Sequence, residues 1–145
     1  MEELVNQGVT VIAYEKKGIK YGMTCAWATH CDYDSLLMLI GSQSDTGNSL
    51  EVGDIVGVSA LASNQKEIAN LLGSKHSKSC DKFTNVRIIK HETAIMIPNS
   101  KSNLVCEVID IGHIIGEDKD HLVQLKVIKH YVNDALKFLS MSDLR

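Results

Sequence analysis

The chain has 145 residues with a formal net charge of -3, of which 44% are hydrophobic and 23% are charged. This composition predicts one globular domain, residues 1–145, that buries a core without disulfide or metal staples. It excludes a broad electrostatic footprint for nucleic acid, and no apolar run approaches the roughly 20 residues that span a bilayer.

The N-terminal residues and the cysteines both indicate where in the cell the protein works. Met1-Glu2-Glu3 lacks the basic and apolar regions of a signal peptide, which predicts a cytoplasmic protein without a membrane segment. The cysteines are Cys25, Cys31, Cys80 and Cys106, and they contain no C-x-x-C pair. We therefore expect free, mostly buried thiols and no metal site.

The first third of the chain predicts short strands separated by turn residues. Gly8–Tyr14 alternates and is β-branched, and the polar segment Glu15–Gly18 suits a hairpin connection. Ile19–Thr29 continues as one long strand. Asp32–Ser35 interrupts the pattern, and Leu36–Ser42 follows as a buried strand.

The middle third contains the clearest helix. Asp45–Asn48 is a cluster of turn residues, Ser49–Val52 predicts one helical turn, and Asp54–Leu61 predicts a central strand. Gln65–Leu72 carries an apolar stripe at helical spacing, with Asn64 as its N-cap.

The last third is again mostly strand, after a polar loop over Ser74–Asn85. The predicted elements are strands at Val86–Lys90, Thr93–Ile97, Leu104–Ile111 and Val123–Val127, and a short helix at Asp134–Leu139. About seven strands and one good helix predict a mainly β fold, a barrel or sandwich with a helix covering one opening.

One strand is unusually poor in large side chains. Alternation within Met23–Thr29 places Thr24, Ala26 and Ala28 on one face. Such a row lets a flat group approach the backbone, whose N–H and C=O groups then bond the edge of a ring system. The alternative is a small face that packs against another strand or the helix.

Three further features carry candidate chemistry. Ser42–Asn48 is rich in hydroxyls and precedes a helical turn, so it forms either a phosphate cradle or an ordinary capped turn. Lys82 either binds an anion or is solvated. The neighbouring Phe83 either anchors the loop or shields a ligand. His121, at a strand edge, donates to an anionic or carbonyl group or is a surface histidine.

Taken together, these segments resemble the flavin reductase family with the FMN-binding split-barrel fold. The resemblance runs from about Gly8 to Lys129 and rests on Gly22–Thr29, Asp45–Asn48, Val58–Leu61 with Gln65 and Ala69, Ser79–Phe83, and more weakly Asp120–Val123.

This resemblance implies a split β-barrel of Greek-key type with one or two covering helices, a homodimer, and a flavin site. The residues that it places along the isoalloxazine are Met23, Thr24, Cys25, Ala26 and Trp27. Those that it places at the ribityl phosphate are Ser42, Gln43, Ser44, Thr46 and Gly47. It also puts Lys82 in a loop that closes over the flavin and His121, the candidate catalytic residue, near the nicotinamide or flavin edge.

The function implied is NAD(P)H-dependent hydride transfer to a flavin, FMN or alternatively FAD, that in turn supplies a redox partner. The alternative is an FMN electron-transfer protein that takes electrons from a protein partner without nicotinamide. Lys119, which stands where the family usually has glycine, favours this alternative. A barrel that has lost its ligand is the third possibility.

Overall fold

A computed structural model describes residues 4–41, 44–73 and 82–144, with main chain only at 117 and 118. Within these ranges the fold is mainly β, as predicted. The strands are β1 Thr10–Lys16, β2 Ile19–Cys25, β3 Ala28–Asp32, β4 Ser35–Ile40, β5 Ile55–Ala60, β6 Ile89–His91, β7 Ala94–Met96, β8 Ser102–Ile114 and β9 Glu117–Val132. The helices are α1 Asp45–Asn48, α2 Lys66–Gly73 and a 3-10 turn at Met141–Leu144. None of the helices in the described ranges is long and apolar enough to cross a membrane.

The sheet is antiparallel, and its strands follow the order β3-β4-β9-β8-β5-β1-β7-β6, with β2 paired to the other side of β1. The hydrogen-bonded ladder does not close among the described strands. The chain itself bridges the gap, because β2 pairs with β1 whereas β3, which follows directly, pairs with β4. This arrangement is a split barrel, and the split lies at Ala26–Trp27.

The split overturns the prediction of one continuous strand over Ile19–Thr29. Cys25 belongs to the barrel core and Ala28 packs against that same core, although an odd number of steps separates them. Alternation has therefore shifted by one residue at the break, as it does at a β-bulge. Thr24 faces α2 instead, so Thr24, Ala26 and Ala28 do not form the single small face that the sequence predicted.

The hairpin between β1 and β2 is tighter than predicted. Thr10 pairs with Cys25 and the register continues to Lys16 opposite Ile19, which leaves only Lys17 and Gly18 as the turn. Both have positive φ, 52° and 79°. Two residues in the left-handed region make the turn whose twist matches that of the flanking strands.

The two larger apolar clusters of the described residues form layers that hold the fold together. One fills the barrel and includes Ile12, Tyr14, Met38 and Val123, all at most 1% exposed. The other lies outside β1 and β7, where α2 and the C-terminal segment cover the sheet with residues such as Leu72 and Leu139. Because β1 contributes alternate side chains to both layers, it is the structural centre of the molecule.

Two short helices predicted from sequence are wrong. The helical turn near Ser49–Val52 lies earlier, at α1, because the Ser44 hydroxyl accepts the Gly47 N–H at 2.8 Å and caps that turn. The segment Asp134–Leu139 is not helical, since its backbone is used elsewhere: the Leu139 N–H donates to Leu61 O at 2.8 Å.

Helix α2 forms where predicted but begins one residue later. The Ala69 N–H donates to Gln65 O, and the Gln65 side chain accepts the Ala62 N–H at 2.9 Å. Gln65, rather than Asn64, therefore occupies the N-terminal boundary of the helix. Its side chain is 6% exposed and also donates to Pro98 O, so it ties α2 to the end of β7.

Gly57 lies on β5 at the point where β7 approaches it closely, and a substitution there tests this approach. A Cβ at this position would meet the main chain of Ile95, with the carbonyl carbon at 2.6 Å. We expect Gly57→Ala to lower the free energy of unfolding by roughly 3 kcal/mol, at the upper end of the cost of overpacking. Chemical denaturation measures this.

Gly112→Ala is the matched control, because the nearest atom to its added Cβ lies at 3.9 Å. This change should stay within about 0.5 kcal/mol of the parent. Equal stabilities for the two variants would contradict the close approach of β7 to β5.

Candidate functional site

The break between β2 and β3 exposes main-chain hydrogen-bonding groups. The ladder with β1 ends at Cys25 and the ladder with β4 begins at Ala28, although the Trp27 carbonyl still accepts the Leu39 N–H at 2.9 Å. Neither the Ala26 N–H and C=O nor the Trp27 N–H has a hydrogen-bond partner within the described ranges. The Ala26 carbonyl and the Trp27 N–H belong to one trans peptide unit and point in opposite directions, so these groups lie on two sides of the chain at the split.

The residues around the split have distinct surroundings. Ala26 is partly exposed and Trp27 is 53% exposed, whereas Cys25 is 5% exposed and Met23 packs against the barrel core. The Cys25 thiol lies 3.5 Å from Trp27 O and from Leu39 O. Burial raises the pKa of this thiol to about 11, against a smaller opposing effect of the Trp27 carbonyl contact. The thiol is therefore protonated at neutral pH and is a poor nucleophile.

Thr24 connects the same strand to α2. Its hydroxyl donates to the Ala69 carbonyl at 2.6 Å, and a Cβ on Gly73 would lie 3.6 Å from the Thr24 Cβ. The Thr24 side chain is thus engaged in holding the helix against β2. Both α1 and α2 pack against β2, which gathers the predicted site residues around this strand.

The segment predicted to hold phosphate is only partly described, because Ser42 and Gln43 lie outside the described residues. Ser44 caps α1, and its hydroxyl oxygen accepts a hydrogen bond, so the O–H itself remains a donor. Gly47 is closely packed, since a Cβ there would lie 2.7 Å from Ile40 Cγ2. The turn therefore lies directly against the end of β4.

The Thr46 side chain lies in the interior of the fold. It is 1% exposed, and a contact between its hydroxyl and a phosphate stays a prediction. Its carbonyl accepts the Tyr14 hydroxyl at 2.6 Å. Burial, then the nearby Asp54 carboxylate, raises the Tyr14 pKa well above its ordinary value, so the hydroxyl stays a donor.

Lys82 and Phe83 anchor the segment that follows the undescribed residues 74–81. The Lys82 ammonium is buried and donates to Gly22 O at 2.8 Å and to Leu72 O at 3.0 Å. A Cβ on Gly22 would lie 2.5 Å from the Phe83 ring, which is itself 5% exposed. Phe83 therefore anchors this segment, and a contact between Lys82 and flavin stays a prediction.

His121 lies on β9, beside the end of α1. It pairs with Ile40 in the β4–β9 ladder, and its Nε2 lies 3.2 Å from Asn48 Oδ1. Its ring is 5.6 Å from the ring of His113, whose Nδ1 donates to Asp120 O at 2.8 Å. The structure thus brings His121 to the last residue of α1, next to the predicted phosphate segment.

Sequence reasoning missed two of these residues, Tyr14 and Asn48. Tyr14 falls at an inward position of an alternating strand, and its hydroxyl needs a buried partner, which is a signal that the sequence contained. Asn48 was included only in the turn cluster that follows β4. Its contact with His121 joins positions 73 residues apart, so no local pattern indicated it.

The comparisons with known proteins agree with this geometry. A model of the flavin reductase like domain matches residues 1–141. The chain belongs to the flavin reductase family. This confirms the resemblance carried by the motifs and supports flavin reduction in general as its class of oxidoreductase activity. No curated protein matches the sequence.

Solved structures share the fold at low sequence identity. The NADH:FAD oxidoreductase SgcE6 of Streptomyces globisporus C-1027 is 21% identical with a TM-score of 0.86, over 97% of this chain and 84% of that one. The FMN-binding protein of Thermus thermophilus is 15% identical with a TM-score of 0.78, over 90% and 72%. Flavoredoxin from Methanosarcina acetivorans is 17% identical with a TM-score of 0.75, over 92% and 74%.

Lys82→Met tests the anchoring role of the buried ammonium. Loss of hydrogen bonds from a charged group to two carbonyls should lower the free energy of unfolding by about 1.5–3 kcal/mol without flavin present. Thermal and chemical denaturation measure this. Lys90→Met is the control, because Lys90 makes an exposed ion pair with Glu15 at 2.9 Å, a contact type that contributes about 0–1 kcal/mol.

The opposite pattern would restore the role predicted from sequence. If Lys82→Met keeps its stability but loses affinity for FMN, the lysine is a flavin ligand rather than an anchor.

Proposed function

We propose that this chain binds FMN, with FAD as the alternative, and transfers a hydride from NAD(P)H to the flavin, which then supplies a redox partner. The observations that carry the proposal are the Ala26 N–H and C=O, which have no hydrogen-bond partner among the described residues. They lie at the split of a fold that belongs to the flavin reductase family.

These groups fit the polar edge of an isoalloxazine ring. That edge carries a ring N–H between two carbonyl oxygens, so it needs an acceptor flanked by donors. The Ala26 carbonyl is an acceptor for the ring N–H, and the Ala26 N–H is a donor for one of the two carbonyl oxygens. The Trp27 N–H belongs to the same trans peptide unit as the Ala26 carbonyl and points the opposite way, so it does not face this edge. Ala26 adds only a methyl group, which lets a flat ring approach the backbone, and the half-exposed Trp27 indole offers an aromatic surface beside it.

The phosphate of the cofactor fits the α1 corner in this proposal. The Ser44 hydroxyl is a donor next to the capped turn, and the predicted contacts of Ser42 and Gln43 precede it in sequence. Gly47 supports the corner indirectly by letting α1 lie against β4. SgcE6 has been solved with NAD and FAD fragments, which supports a nicotinamide cosubstrate for the fold.

A bound flavin supplies the redox chemistry, because it accepts a hydride from reduced nicotinamide. The chain's own residues bind and orient. The Ala26 N–H would stabilise charge at the polar edge, and a pre-positioned main-chain dipole of this kind needs no reorganisation during reaction. Cys25 is protonated and buried, so the proposal assigns it no covalent step.

We also propose a homodimer. Residues opposite one another on neighbouring strands share a face, which places Trp27, Leu39 and Leu122 in one row across β3, β4 and β9. Trp27 is 53% exposed and the two leucines are partly exposed. An apolar row at the edge of the flavin site is a surface that a second copy of the chain would cover.

Anaerobic reduction tests the proposed reaction. The purified protein with bound FMN is mixed with NADH or NADPH, and the flavin absorbance is followed by stopped flow. We expect bleaching with a saturable dependence on the nicotinamide. A protein that holds FMN and is reduced by dithionite, but by neither nicotinamide, would instead be the electron-transfer protein that takes electrons from a partner.

Ala26→Leu tests the position of the ring. Added volume at the split should lower FMN affinity by at least about tenfold, equivalent to 1.4 kcal/mol, while circular dichroism shows an intact fold. Ala135→Leu makes the same change at an exposed position away from the split and should bind FMN as the parent does. Unchanged affinity in a folded Ala26→Leu protein would refute the ring site.

A further inference from the structure

His121 faces the inside of the barrel. Val123 and Leu125 are both fully buried in the barrel core, and His121 follows the same alternation along β9. Its cross-strand partner, Ile40, is also 0% exposed. The imidazole therefore points inward at the end of the barrel that α1 covers.

The two ring nitrogens of His121 have different surroundings in this position. Nε2 lies 3.2 Å from Asn48 Oδ1. Nδ1 is buried and has no hydrogen-bond partner within the part of the chain that the structure describes. The pair joins β9 to the last residue of α1.

These contacts assign the tautomer of the neutral ring. A carboxamide oxygen only accepts, so the hydrogen is on Nε2, and Nδ1 keeps its lone pair. If the Asn48 carboxamide were turned over, its NH2 group would donate to Nε2 and the hydrogen would move to Nδ1. That arrangement buries an N–H without a partner among the described residues, which proteins avoid more strictly than an unpaired acceptor. The first arrangement is therefore the favoured one.

The ring then has only its buried Nδ1 left as a hydrogen-bonding atom for a nicotinamide or for the flavin ring. Nε2 serves Asn48, and Nδ1 is shielded from solvent. A direct role of His121 in hydride transfer, as the sequence predicted, would require the ring to leave this position.

We propose that His121 and Asn48 are positioning residues that hold α1 in place to bind the flavin phosphate. This inference rests on the proposed function, in which the corner at Ser44 receives the phosphate. It moves His121 from the reacting end of the cofactor to its phosphate end.

Helix α1 needs such support because it is only four residues long. A single turn does not persist alone, since the first hydrogen-bonded turn is the costly step of helix formation. The Tyr14 hydroxyl holds the turn from inside at Thr46, and His121 holds its last residue from β9. Loss of the second contact should loosen the turn without unfolding the barrel.

The experiment compares affinities for FMN and for riboflavin, which lacks the phosphate. Asn48→Leu and His121→Phe remove the contact while keeping side-chain volume. Asn48→Asp keeps an acceptor oxygen, and His121→Gln keeps a donor N–H. His130→Phe is the control, because His130 is an exposed histidine at the far end of the same strand.

We expect Asn48→Leu and His121→Phe each to weaken FMN binding about tenfold, the effect of one lost hydrogen bond, with riboflavin binding changed less than about twofold. The double variant should be no weaker than the single variants, because the two residues make one contact. Asn48→Asp and His121→Gln should recover most of the affinity, and His130→Phe should match the parent.

A second measurement needs no flavin. Nitrogen-15 NMR of the ligand-free parent should show the His121 hydrogen on Nε2. Hydrogen exchange of the α1 amides should be faster in Asn48→Leu than in the parent.

Three results would overturn the inference: a hydrogen on Nδ1, equal losses of FMN and riboflavin affinity, or a His121→Phe protein that binds FMN normally but is reduced more slowly at saturation. A parent that binds FMN but is reduced by neither NADH nor NADPH would refute the proposed reaction and leave this pair in place. A parent that binds no FMN would refute both.

Discussion

The structure depends on how the chain crosses from one half of the barrel to the other. Between Cys25 and Ala28 it leaves β1 and joins β4, and no ladder continues through this point. The crossing closes the barrel covalently where hydrogen bonds do not. It also shifts the alternation by one residue, and for that reason Cys25 and Ala28 can both face the core while Thr24 reaches out to α2. The Ala26 main-chain groups, which lack partners in the part of the chain that the structure describes, result from the same geometry.

The rest of the candidate site is supported from inside the barrel. Tyr14 stacks on Tyr21 with ring centroids 5.2 Å apart, and its hydroxyl extends from this stack to the turn at α1. The stack fixes the ring, so the hydroxyl is delivered at a defined place. A rigid interior thereby orders a four-residue helix that has little stability of its own. This is how a ligand-binding corner can be built on a short segment and still be well placed.

The amount that the sequence predicted differs from one part of the molecule to another. Strand periodicity and turn residues located most strands and α2, and the order of the motifs identified the family, because these signals are local. The break at Ala26–Trp27 was not predictable, since its residues suit a continuous strand and only the pairing with β4 interrupts it. Helix α1 was misplaced by a few residues because the capping serine was assigned to the loop. The helix predicted over 134–139 does not form because the Leu139 N–H donates to Leu61, the residue after β5.

Long-range polar contacts explain most of the remaining differences in the site. The sequence showed Lys82 as a charged residue in a polar loop, which predicts solvation or an anion. In the fold, two carbonyls from separate elements converge on its ammonium. Asn48 and His121 are likewise brought together only by the register between β4 and β9. Contacts of this kind join positions far apart in sequence and leave no periodic trace.

The Lys82 contact has a consequence for how the chain can change. Its bond to Leu72 O fastens the residue after the 74–81 connection to the last turn of α2, and Phe83 packs on Gly22. Both attachment points are therefore held independently of the residues between them. Because the entropy of closing a loop grows only slowly with its length, insertions or an engineered tag between Gly73 and Lys82 should be tolerated better than elsewhere on this face. The same clamp makes this connection a place where related proteins can diverge in length while keeping one barrel.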